Sequence, residues 1–77
     1  MNVLVVEDDP ATQMIVRKCL ERLGYGVTGV VATAVDAIST IEESRPDIVL
    51  CDVEIAGAMD GIEAAELIKD RFGLPVV

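Results

Sequence analysis

The stretch from Val3 to Pro10, VLVVEDDP, sets four apolar residues directly against three acids. A short, nearly unbroken, valine-rich run suits a strand covered on both faces, the habit of parallel sheets, and a strand is predicted over 2–6. Glu7, Asp8 and Asp9 then crowd like charges at the edge of a core. Unit charges about 4 Å apart repel by roughly 4 kcal/mol where the effective dielectric constant is near 20, so the cluster needs a compensation. Asp9 has a local one. It stands before Pro10, and an Asp cap followed by a proline that lacks only an unneeded donor opens a helix.

Working outward from that stretch, Ala11, Met14, Ile15, Cys19, Leu20 and Leu23 recur at spacings of three and four, the period of an amphipathic helix. Gly24 stops it, being the residue best able to take a left-handed cap. A second strand is predicted over 25–32. Thr33 then caps a second helix over 34–44 with Ala34, Ala37, Ile38 and Ile41 inward, ended by Arg45 and Pro46. The run 47–51, DIVLC, is a third strand, again apolar on both faces. Residues 56–61 form a loop, and Asp60 with Glu63 three positions on offers a capping-box start to a third helix reaching about Phe72. Residues 73–77, GLPVV, open a fourth strand. Strands alternating with helices of this length point to βαβ units and a parallel sheet.

The 77 residues amount to one domain at most, yet 52% are hydrophobic, a high share for a chain that can bury only about 60–65% of its unfolded surface. Mean hydropathy is +0.49. Fourteen acids against six bases, net charge -8, disfavour nucleic acid and anionic membrane as direct partners and suit a cation or a basic protein face. No apolar run is long enough to span a membrane and the first residues carry no basic leader, so a cytoplasmic setting is expected. Cys19 and Cys51 lie in apolar segments and are read as buried thiols rather than a disulfide framework.

One echo carries chemistry. The runs NVLVVED and DIVLCD both end in acids, and in a parallel sheet those carboxyl ends share one edge. If the first and third strands are neighbours, Glu7 and Asp8 come within reach of Asp52, at the edge where open α/β sheets bind ligands. Three converging carboxylates raise one another's pKa values; a hard divalent cation such as Mg²⁺ removes the conflict, since it binds through carboxylates while keeping waters and accepting phosphate oxygens.

LVVEDDP, LGYGVTG, RPDIVLCDVEIAG and MDGIEAAELIK, in this order and spacing, resemble the receiver domain of two-component response regulators. The resemblance covers the whole chain and about the first two thirds of a receiver. It implies an α/β, flavodoxin-like parallel sheet of order 2-1-3, then 4, with flanking helices, incomplete at its C-terminal end. It makes Asp52 the phosphoacceptor, Glu7 and Asp8 the acidic pair holding Mg²⁺ together with Asp52, and the main-chain carbonyl of Glu54 a further metal ligand. Asp52 would take a phosphoryl group from a sensor histidine kinase or a phosphotransfer protein, and the domain would be a signalling phosphoacceptor rather than an enzyme, capable at most of self-phosphorylation from small donors and autodephosphorylation.

The chain departs from the commoner family pattern in three ways. Glu7 stands where Asp is frequent; the loop DVEIAGAMDG lacks a proline and is one residue longer; and the hydroxyl residue and lysine that follow the family's fourth and fifth strands have no counterpart up to Val77. Residues 1–77 are therefore read as a truncated receiver, with association of copies through the incomplete sheet edge as a consequence. Two rivals are a docking pseudo-receiver that is not phosphorylated, against which the intact acid set argues, and a haloacid-dehalogenase-like phosphatase. The latter carries its nucleophile on the first strand with a second aspartate two residues on, whereas here Asp52 ends the third strand and Glu54 takes the second place.

Overall fold

The computed structural model describes all of residues 1–77. In chain order the elements are β1 (Asn2–Val6), α1 (Pro10–Arg22), β2 (Gly26–Val31), α2 (Ala34–Glu43), β3 (Ile48–Cys51) and α3 (Gly61–Phe72). The strands form one parallel sheet in the order β2-β1-β3, the flavodoxin-like arrangement expected. With both ladders of β1 paired and both faces covered, Val3 to Val6 are each no more than 3% exposed. That is why this strand reads as a continuous apolar run.

Right-handed crossovers place α1 and α2 on opposite faces, because the chain leaves β1 towards β2 and then returns across β1 to β3. The larger core lies on the α2 and α3 side, where Leu4 and Val6 meet Ala37, Ile41, Val49, Ile68 and Leu74. The two helices are also tied at their far ends. Arg71 pairs with Glu42 at 3.0 Å, and the Arg45 guanidinium donates to the Phe72 carbonyl at the end of α3. Val3 and Val5 alternate to the other face, under α1.

α1 corrects the sequence reading. Its apolar period is present, but no residue of the helix is buried, and Met14, Ile15 and Leu23 are 59%, 62% and 73% exposed. Of the apolar set only Leu20 is half-buried, together with Thr12, Gln13 and Val16, which lie outside it. The cause is packing: α2 and α3 cover each other, whereas α1 rests on β1 and β2 as the one helix on its face of the sheet. Cys19, expected to be buried, is exposed for the same reason; Cys51 is half-buried.

The helix boundaries follow the chemistry of their end residues. Asp9, Thr33 and Asp60 each accept a hydrogen bond from the backbone N–H three residues on. The reciprocal half of a capping box at Glu63 does not form, so Asp60 caps α3 alone. Gly24 takes φ 89° after α1, and the bonds from its N–H to Glu21 and from Tyr25 to Leu20 complete a Schellman turn. Beyond α3 the chain runs parallel to β3, with Val49 N–H on the Pro75 carbonyl at 3.0 Å and Val77 N–H on Val49 at 2.9 Å.

Candidate functional site

The site arises where β1 and β3 run out together. Past Val6 the ladder continues for one more residue on each side: Glu7 N–H donates to Val31 at 2.8 Å, and Asp52 N–H donates to Val6 at 3.0 Å. The first residues beyond the paired strands are thus Glu7, Asp8 and Asp52. One carboxylate oxygen from each lies within 4.8 Å of the others. Glu7 is only 8% exposed, while Asp8 and Asp52 face solvent.

Main-chain donors hold two of the three. Asp9 N–H donates to Glu7 Oε1 at 3.1 Å, and Val53 N–H donates to Asp52 Oδ1 at 2.8 Å. Gln13, one turn into α1, reaches back so that its Nε2 donates to the Glu7 carbonyl at 2.5 Å. Gln13 was invisible as a site residue in the sequence, where it is one polar residue in an amphipathic helix. Its position four after Asp9 is the signal that places it over the same turn.

The electrostatics record an uncompensated cluster. The Asp9 N–H favours the Glu7 carboxylate, but burial, a hydrogen bond shared with Asp52, and the charges of Asp52 and Asp8 together outweigh it and raise the Glu7 pKa above its ordinary value. Asp9 behaves oppositely: its hydrogen bonds from the Thr12 hydroxyl and then from the Thr12 N–H lower its pKa, as befits a helix cap outside the cluster. All three donors of the cluster are oxygens and two of them are open to water, which fits a hard divalent cation that retains part of its hydration shell. The Glu54 side chain does not join them and lies exposed two residues beyond Asp52.

The loop after β3 takes a definite path. Ala56 N–H donates to the Ala32 carbonyl at 3.2 Å, a parallel bridge links Ala56 to Thr33, and Gly57 turns with φ 105°. The loop therefore leans on the end of β2 before Asp60 starts α3. A groove of about 250 Å³ opens on the other side of Asp52, against Val53, Ile62 and Lys69, and includes neither Glu7 nor Asp8. The acids themselves sit on an open edge.

Comparison with known proteins agrees with this geometry. The family model described as the response regulator receiver domain matches residues 3–77. A protein-glutamate methylesterase/protein-glutamine glutaminase 3 from Hahella chejuensis is 34% identical over 77 residues, all of this chain and 22% of that protein. The phyllosphere-induced regulator PhyR of Methylorubrum extorquens is 33% identical over 99% of this chain and 29% of its own length. Among solved structures, the signal receiver domain of a modulated diguanylate cyclase from Desulfovibrio desulfuricans superposes with a TM-score of 0.92 at 38% identity, over 99% of this chain and 61% of that one. The chain belongs to the response regulator receiver domain family. It spans less than a third of the length of these two curated relatives.

Proposed function

We propose that this chain is a phosphoacceptor receiver that takes a phosphoryl group onto Asp52 from a phosphohistidine of a sensor histidine kinase or phosphotransfer protein. The observation that carries the reading is the convergence of Glu7, Asp8 and Asp52 within 4.8 Å at the carboxyl edge of the sheet. An Asp52 carboxylate oxygen attacks phosphorus in line; the O–P bond forms as the P–N bond to the histidine breaks, and because the donor's other ring nitrogen carries a proton the bonding pair leaves on neutral imidazole, with an acyl phosphate on Asp52. The Val53 N–H on Oδ1 fixes the rotation of the carboxylate, so that the attacking oxygen is presented in one orientation. Glu7, Asp8, Asp52 and the main-chain carbonyl of Glu54 would hold Mg²⁺. When bound, the ion offsets the repulsion between carboxylate and phosphoryl oxygens. Attack of water on the same phosphorus returns Asp52 to its free form and resets the domain. In this reading the chain is a signalling module with no turnover chemistry beyond that reset. No helix is long and apolar enough to cross a membrane.

The experiment is incubation of the full chain with acetyl phosphate, with and without Mg²⁺, followed by intact mass. One added phosphoryl group that requires Mg²⁺ and is lost in Asp52→Asn is expected. An Asp52→Asn variant that gains the group as the parent does overturns the reading.

A further inference from the structure

Gly61 opens α3, and it is buried although it is the first residue of a helix. Its N–H donates to the Val53 carbonyl at 2.8 Å, and its own carbonyl lies 3.7 Å from Cys51 Sγ. A Cβ placed on Gly61 would stand 1.8 Å from the Asp52 carbonyl oxygen, 2.7 Å from the Asp52 carbonyl carbon and 2.7 Å from the Val53 carbonyl oxygen. All three obstacles are main chain, which no rotamer change can move. The conformation of Gly61 is not left-handed, unlike that of Gly24, Gly57 and Gly73, so what excludes a side chain is space alone.

The obstructed peptide is the one that carries the proposed phosphoacceptor. Its N-terminal side is pinned to the sheet, because Asp52 N–H is bonded to Val6. Its C-terminal side is held by Gly61 N–H, and the next N–H, that of Val53, orients Oδ1 of Asp52. Displacing α3 from this peptide therefore bears first on the 52–53 linkage, whose Val53 N–H holds Oδ1 of Asp52, so the hold on the carboxylate is disturbed although its residue stays anchored to β1.

We propose that Gly61 is a positioning residue for the reaction at Asp52: by letting the first turn of α3 seat directly on the Asp52–Val53 peptide, it sets the carboxylate against the Glu7 and Asp8 pair. The inference rests on the phosphoacceptor reading and adds to it a residue that touches neither metal nor phosphoryl group. Asp60 and Gly61 thereby divide the work at the start of α3, the first capping the helix and the second docking it.

The test compares Gly61→Ala with Gly73→Ala in the full chain. Gly73 has φ 67° and open space around its Cβ position at the far end of the same helix, so its substitution strains the backbone without reaching the site. Each variant is followed by amide NMR to count folded molecules, by phosphorylation from acetyl phosphate, and by the ¹⁹F resonance of a beryllofluoride adduct formed with Mg²⁺. Per folded molecule, Gly61→Ala is expected to react about 100-fold more slowly, the scale of a 1 Å misplacement, and to lose the adduct resonance, whereas Gly73→Ala keeps both. If Gly61→Ala is largely unfolded in buffer, the same readouts are taken in trimethylamine N-oxide, which drives burial. A folded Gly61→Ala that reacts at the parent's rate, or equal slowing in both variants, overturns the positioning role. A parent that forms no adduct overturns the phosphoacceptor reading, and this inference with it.

Discussion

Replacing Asp8 by Asn should stabilise the protein when no divalent cation is present. Asp8 contributes two of the three repulsive pairs in the cluster, each within 4.8 Å. At that separation a pair costs about 1 kcal/mol in a fully aqueous dielectric, and Asp8 and Asp52 are exposed enough that screening keeps the value near this lower limit. Two pairs removed give a gain of about 1–2 kcal/mol. For a domain of this size each kcal/mol moves the melting midpoint by about 4–8 °C. Mg²⁺ should reverse the ranking: a ligand at 100 times its Kd adds about 2.7 kcal/mol to the parent, and Asp8→Asn, short of one charged donor, gains far less. Thermal melts followed by circular dichroism at low ionic strength, in EDTA and in excess MgCl₂, measure both effects. An Asp8→Asn variant that melts no higher than the parent in EDTA, or that gains as much from Mg²⁺, refutes the account of the cluster as a charge conflict relieved by metal.

Three further outcomes are expected. Ile68→Ala, at a position fully buried between α3 and the sheet, should cost about 2–5 kcal/mol in urea unfolding with an unchanged m-value, whereas Val35→Ala, 73% exposed, should stay within about 0.5 kcal/mol. Iodoacetamide should alkylate exposed Cys19 well before Cys51, whose thiol is pushed up by burial and then by the Asp52 charge; equal rates would contradict this. Because the Glu7 pKa is raised on folding, its protonated form contributes stability that is present below the ordinary value of 4.5 and is lost as pH rises through the folded value. Metal-free melts should therefore fall with rising pH across that window in the parent, and less steeply in Glu7→Gln.

The sheet was legible because β1 announces itself: a strand buried on both faces has no polar side to show, and Val3 to Val6 have none. The acid site was legible for a related reason, since Glu7, Asp8 and Asp52 are the first polar residues after two buried strands and a parallel sheet must bring those ends together. The helix starts were written in Asp9, Thr33 and Asp60, whose side chains complete local hydrogen bonds. What the sequence did not show is set by distance along the chain. The period of α1 reveals that one side is apolar but not how much of it a neighbour covers, which is why Cys19 was misjudged as buried while Met14 and Ile15 beside it also face solvent. Gly61 followed Asp60 like an ordinary turn glycine; its contact with a peptide nine residues earlier appears only once α3 is seated against β3.

The central claim is that Asp52, and no other acid of the cluster, carries the phosphoryl group. Borohydride reduction of the phosphorylated full chain converts an acyl phosphate to the corresponding alcohol and marks the residue permanently for peptide sequencing. The account predicts homoserine at position 52 in a Mg²⁺-dependent reaction, with Glu7, Asp8 and Glu54 unchanged; reduction at any of those three, or a phosphorylated chain with Asp52 intact, contradicts it.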